Sequence, residues 1–220
     1  MNQQELDTVA LELAANVFEK WQKDFNLGEQ TSNWYHQIKT KGLEFDFDAT
    51  LYFGNVNGQP ITGFTSFDST GADSRDFDDD GNYQTPFIII DLGIETSWLP
   101  DYFSELYFYL VDIIRHELEH ITQGGESVGN YQLGKPSDDD SMERELIHQR
   151  LLPQSTYYML PKEVDANLQG LRLESQVRGE KMINTLNRYL DNQSLSAAER
   201  TQVIELWRIR AKKIGSIPEF

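Results

Sequence analysis

Residues His116-Glu117-Leu118-Glu119-His120 lie inside a long apolar stretch whose periodicity predicts a helix over 102–123. Residues four apart on a helix stack one turn above the other, so both imidazoles face the same way and can grip one metal ion. Glu117 sits between them, placed to reach a water on that ion. Leu110, Ile114, Leu118 and Ile121 cluster on the other side of the same helix, and Asp112 flanks the histidines. The segment therefore reads as a helix with one face in a core and the two histidines on the opposite face. A lone histidine on a buried helix is usually a satisfied core residue. Two on one face, with a carboxylate between them, form a metal pattern.

The chain has no cysteine, so disulfides and thiolate ligands are excluded and a metal must be held by histidine and carboxylate. A catalytic zinc takes three protein ligands and keeps one position open. The best third candidate is Glu163, in Leu160-Pro161-Lys162-Glu163-Val164-Asp165-Ala166-Asn167-Leu168-Gln169-Gly170. On that helix Val164, Leu168 and Leu171 form an apolar face. Glu163, Ala166, Asn167 and Gly170 form another, whose small residues permit close approach of a second helix. The same acid also suits the first turn of a helix, where the dipole favours it. Glu126, Glu143 and Asp165 are next in line. Asn167 or Asp165 could orient a ligand, Asn167 being preferred because it shares the face of Glu163. Tyr157, Tyr158 and His148 are candidates for stabilising an oxyanion, although tyrosines more often serve packing.

Elsewhere, residues 4–25 read as an amphipathic helix ended by Gly28. Leu43, Phe45 and Phe47 alternate with acids as a half-buried strand. Leu51–Phe53, Ile61–Phe67 and Pro86–Leu92 read as further strands. After Pro100 the chain is helical: the motif helix stopped by Gly124-Gly125, a helix from a Ser137 cap through Asp138–Asp140 to about Leu152, then Lys162–Val177, Met182–Leu190 and Ala197–Ile214. The last is opened by a Ser196–Glu199 capping box. Helix, small sheet, helices is an α+β order. We expect one domain over 1–220, with the N-terminal helix and sheet in 1–100, the metal-site helices in 101–180 and a helical annex in 181–220.

The net charge of −17 argues against nucleic-acid and anionic-membrane partners. The N-terminal residues lack the basic and apolar regions of a signal peptide, and no apolar run is long enough to span a bilayer, so a soluble, cytoplasmic protein is expected. Asp76, Asp78, Asp80 and Gly81 match the start of a calcium loop, but the twelfth position is Phe87. An exposed acidic turn is the expected reading there. His36 has no partner pattern and reads as surface or packing.

His116–His120 followed by Glu163-Val164-Asp165-Ala166-Asn167 resembles the gluzincin branch of zincin-like metallopeptidases. It is similar in particular to small bacterial and bacteriophage forms whose second motif is a Glu-x-x-Ala helix. The histidine-bearing extension of metzincins is absent, since Ile121-Thr122-Gln123-Gly124-Gly125-Glu126 follows His120. The resemblance covers about half the chain. It implies a zincin-like fold, with a small mixed sheet packed against the motif helix and further helices following. It also implies a zinc-dependent metallopeptidase hydrolysing peptide bonds through a zinc-activated water, with Glu117 as general base, a peptide or protein as substrate, and host cytoplasm as location if phage-encoded. A strand near Thr85–Leu92 would line the cleft and pair with extended substrate. Two other readings stand beside it: a zincin fold used for binding or structure, as in a phage particle component or regulator, and a metal-independent interaction protein. An intact Glu117 favours the enzyme, because a structural zinc has no need of a general base.

Overall fold

The computed structural model describes residues 2–40, 42–67, 69–73, 85–123, 141–215, 217–218 and 220. The chain divides into two compact units, 1–131 and 132–220.

The first unit opens with α1 (Gln3–Asn26), whose N-terminus is closed by a reciprocal pair of bonds between Asn2 and Glu5. Leu6, Val9, Ala10, Leu13, Val17 and Trp21 recur at helical spacing and are buried. Strands β1 (Thr31–Thr40) and β2 (Leu43–Phe53) form an antiparallel hairpin, in register from Thr31↔Tyr52 to Thr40↔Leu43. Gly42 supplies its turn at φ +94°. The short strands β3 (Asn55–Val56) and β4 (Gln59–Pro60) pair with each other. β5 (Phe64–Ser66) and β6 (Gly71–Asp73) both run antiparallel to β7 (Phe87–Ile94), which pairs in parallel with β2. The sheet order is β1-β2-β7, with β5 and β6 sharing the far side of β7.

Alternation fixes the inner face of the sheet. Phe45, Phe47, Ala49, Leu51 and Phe53 of β2 are buried, as are Ile88, Ile90, Leu92 and Ile94 of β7. Gly93, on the outer face, lets Ile61, Thr65 and Phe67 lie close over the strand; a Cβ there would stand 2.8 Å from Ile61 Cδ1. Helix α2 (Phe103–Gln123) packs beside α1, with Phe103 edge-on to both Phe18 and Phe25. Leu110, Ile114, Leu118 and Ile121 are fully buried, as the periodicity requires.

β7 does not have the free edge that substrate pairing would need. β2 occupies one edge, while β5, β6, Phe67 and Thr70 occupy the other, where Phe67 donates to the Asp91 carbonyl at 2.9 Å and Asp91 donates to Thr70 Oγ1 at 2.9 Å. A backbone has only two pairing edges, so β7 is an interior strand.

The second unit holds α3 (Ser141–His148), α4 (Pro161–Arg178), α5 (Met182–Asp191) and α6 (Ala197–Ile214). The expected Ser137–Asp140 start of α3 and the Gly124-Gly125 stop lie outside the described residues. Pro161 opens α4 and Gly179, at φ +67°, closes it. Val164, Leu168 and Leu171 form a core with Leu186, Leu190, Val203 and Trp207. Trp207 Nε1 donates to the Tyr158 carbonyl at 2.7 Å, so the large indole enters that core without an unmet donor. The expected capping box of α6 is present, and Ser155 adds a bond to Glu199 at 2.7 Å. The architecture is thus α+β with a mixed sheet, and among the described residues no helix is long and apolar enough to cross a membrane.

Candidate metal centre

The last two turns of α2 carry the histidines. Their Nε2 atoms are 3.0 Å apart, and the ring planes cross at 74°. Two ligands 2.0–2.1 Å from one tetrahedral ion would be about 3.3 Å apart, so these nitrogens already converge on roughly one ligand pair's spacing. His120 Nδ1 lies 2.8 Å from Gln123 Oε1. With an amide oxygen as acceptor, Nδ1 carries the proton and Nε2 presents its lone pair, the tautomer that a ligand needs. Gln123, three residues beyond His120, was not singled out in the sequence, although the spacing that lets side chains meet on a helix was there to be read.

Glu117 is buried at 7% exposure, next to His116. Burial pushes the Tyr109 hydroxyl pKa up; a hydrogen bond with Ser66 opposes this, while the charges of Asp112 and Glu117 add to it. The charges of Asp112 and Glu117 are thus close enough to act on this hydroxyl.

On the second unit, Glu163 is the third residue of α4 and only 1% exposed. The helix N-terminus favours its charge. Arg144 Nη2 of α3 donates to its Oε1 at 2.8 Å, and the guanidinium lies 5.7 Å from the centre of the Tyr157 ring. Asn167 Nδ2 donates to the backbone carbonyl of Glu163 at 2.8 Å. Asp165 accepts two bonds from Arg210, at 2.6 and 2.7 Å. The structure thus gives Asn167 a bond to the backbone of the candidate ligand and Asp165 an ion pair, and it also brings Gln123 to the His120 imidazole.

Tyr158 is buried in the second unit's core and donates its hydroxyl to Gln193 Oε1 at 2.5 Å. Its hydroxyl pKa is raised by burial and then by the charge of Glu163. Tyr157 is half-buried, and His148 is exposed at the end of α3. Glu143 is half-buried on the same helix. Glu126 and the acidic run bearing Asp76, Asp78 and Asp80 lie outside the described residues.

His116 and His120 on the first unit are half-buried imidazoles and Glu163 on the second is a buried carboxylate, and both are donor types that a metal ion takes. No family model, no curated protein and no solved structure matches this chain.

Proposed function

We propose that His116, His120 and Glu163 hold one zinc ion and that the chain is a zinc-dependent metallopeptidase with Glu117 as its general base. The observation that carries the reading is the pair of Nε2 atoms 3.0 Å apart with Glu117 buried alongside. Imidazole donors select zinc over calcium or magnesium, which take oxygen shells. Two histidines and a carboxylate are a three-ligand set that leaves a fourth position for water.

Bound there, zinc would acidify a water and polarise a carbonyl. Glu117 then has the protein's own part of the reaction. Its carboxylate takes the proton of the attacking water and returns it to the departing amide nitrogen. With the Tyr158 hydroxyl spent on Gln193, Tyr157 and His148 remain the oxyanion candidates. The resemblance of the two motifs to gluzincins supports the same assignment.

The test is metal analysis of the purified protein followed by turnover of a broad peptide library. One zinc per chain is expected, with cleavage that falls by roughly 10²–10⁴-fold in Glu117→Gln at unchanged zinc content. A protein that binds no metal would overturn the reading. A zinc-loaded protein that cleaves no peptide would instead be a binding or structural zincin-like protein.

A further inference from the structure

Glu163 is a buried carboxylate at 1% exposure, and a charge so placed needs a fixed counter-charge. Arg144 supplies it. Its Nη2 meets Oε1 at 2.8 Å, while its guanidinium is held over the Tyr157 ring. The backbone of Glu163 is also held, by the first turn of α4 and by the Asn167 bond to its carbonyl. Between them these contacts fix both ends of the side chain.

We infer that Arg144 is a positioning residue for the metal: it keeps Glu163 Oε1 engaged, so that the carboxylate offers zinc a single oxygen, Oε2, in one orientation. This rests on the zinc reading proposed above. The argument is geometric. A carboxylate has two oxygens and can chelate one ion with both, which would use an extra coordination position. A guanidinium bonded to one oxygen prevents that and leaves the water position open. It also removes rotation about the terminal bond, so little side-chain freedom is left to lose when the ion arrives. The cation–π contact with Tyr157 limits the swing of the arginine itself. Arg144 acts through Glu163 and need not touch substrate.

Zinc affinity is measured by competition with a chromophoric chelator on the full chain, for wild type, Arg144→Gln, Arg144→Lys, Glu163→Gln and the Arg144→Gln/Glu163→Gln double variant. Arg144→Gln should weaken zinc by roughly 10–100-fold, and Arg144→Lys, which keeps the charge but not the planar fork, by a smaller factor. The double variant should be no weaker than Glu163→Gln alone, because the arginine works only through that carboxylate. A purely structural arginine would lower the melting temperature without producing that pattern. Unchanged or tighter zinc binding in Arg144→Gln would overturn the inference, the latter by showing that Arg144 competes with the ion. So would additive losses in the double variant. If Arg144→Gln fails to fold, Arg144→Lys decides: wild-type affinity there would overturn the inference. Absence of zinc from the wild type would overturn the functional reading instead, and this inference with it.

Discussion

Arg115 Nε donates to Asp7 at 2.9 Å, tying the residue just before His116 to an acid in the opening turns of α1. The same guanidinium, fully buried, bonds Glu119 at 3.0 Å and also donates to Gln3. One side chain thus satisfies groups on two helices and holds the segment that carries the histidines against α1. Arg115→Ala should cost about 3–5 kcal/mol, because Glu119, 2% exposed, is left as a buried charge without its arginine. Chemical denaturation measures the loss. A loss below about 1 kcal/mol would mean that Glu119 is neutral or solvated without its partner.

Gln123→Ala removes the acceptor of His120 Nδ1. The imidazole can then rotate or carry its proton on Nε2, and zinc affinity should fall by roughly 10–100-fold. Gln123→Glu, which keeps an acceptor oxygen, should recover most of it. Equal affinity in wild type and Gln123→Ala, measured by chelator competition, would remove Gln123 from the centre.

Acid should weaken the cap of α6. The Glu199 carboxyl is lowered from 4.5 to about 2 by hydrogen bonds from the Ser196 side chain, Ser155 and the Ser196 backbone. A folded value below the unfolded one means that the stabilisation is fully present above about pH 4.5 and disappears as the pH falls through about 2. Wild type should therefore melt above Glu199→Gln near neutrality, and the gap should close over that acid range. Melting temperatures taken stepwise in pH test this; a constant gap down to pH 2 would refute it.

The helices were legible because their ends carry local chemistry. Pro161 and the Ser196–Glu199 box mark starts, and apolar spacing marks the buried faces, so α2, α4 and α6 lie within about a residue of their expected spans. Strand β1 escaped notice because, among the described residues, it pairs only with β2 and is mostly exposed; its polar residues give no apolar alternation. β2 was expected as two pieces, since Ala49 and Thr50 interrupt the alternation, yet both are buried within one strand. The expected Ile61–Phe67 strand shortens to β5 because only Phe64–Ser66 pairs with β7. The interior position of β7 depends on pairings between distant segments, which no local pattern encodes. The same division holds at the candidate centre. His116, Glu117, His120 and Glu163 announce themselves by spacing, whereas Arg144 matters through a partner 19 residues away in the chain.

Both histidines stand near the end of α2, with His120 in its last turn. Helices open locally, a turn at a time, whenever the bonds of that turn are broken together. An ion bridging positions 116 and 120 would cross-link consecutive turns. Ion capture and helix order would then be one equilibrium, in which each raises the occupancy of the other. Amides of residues 118–123 should accordingly exchange more slowly once the protein is loaded.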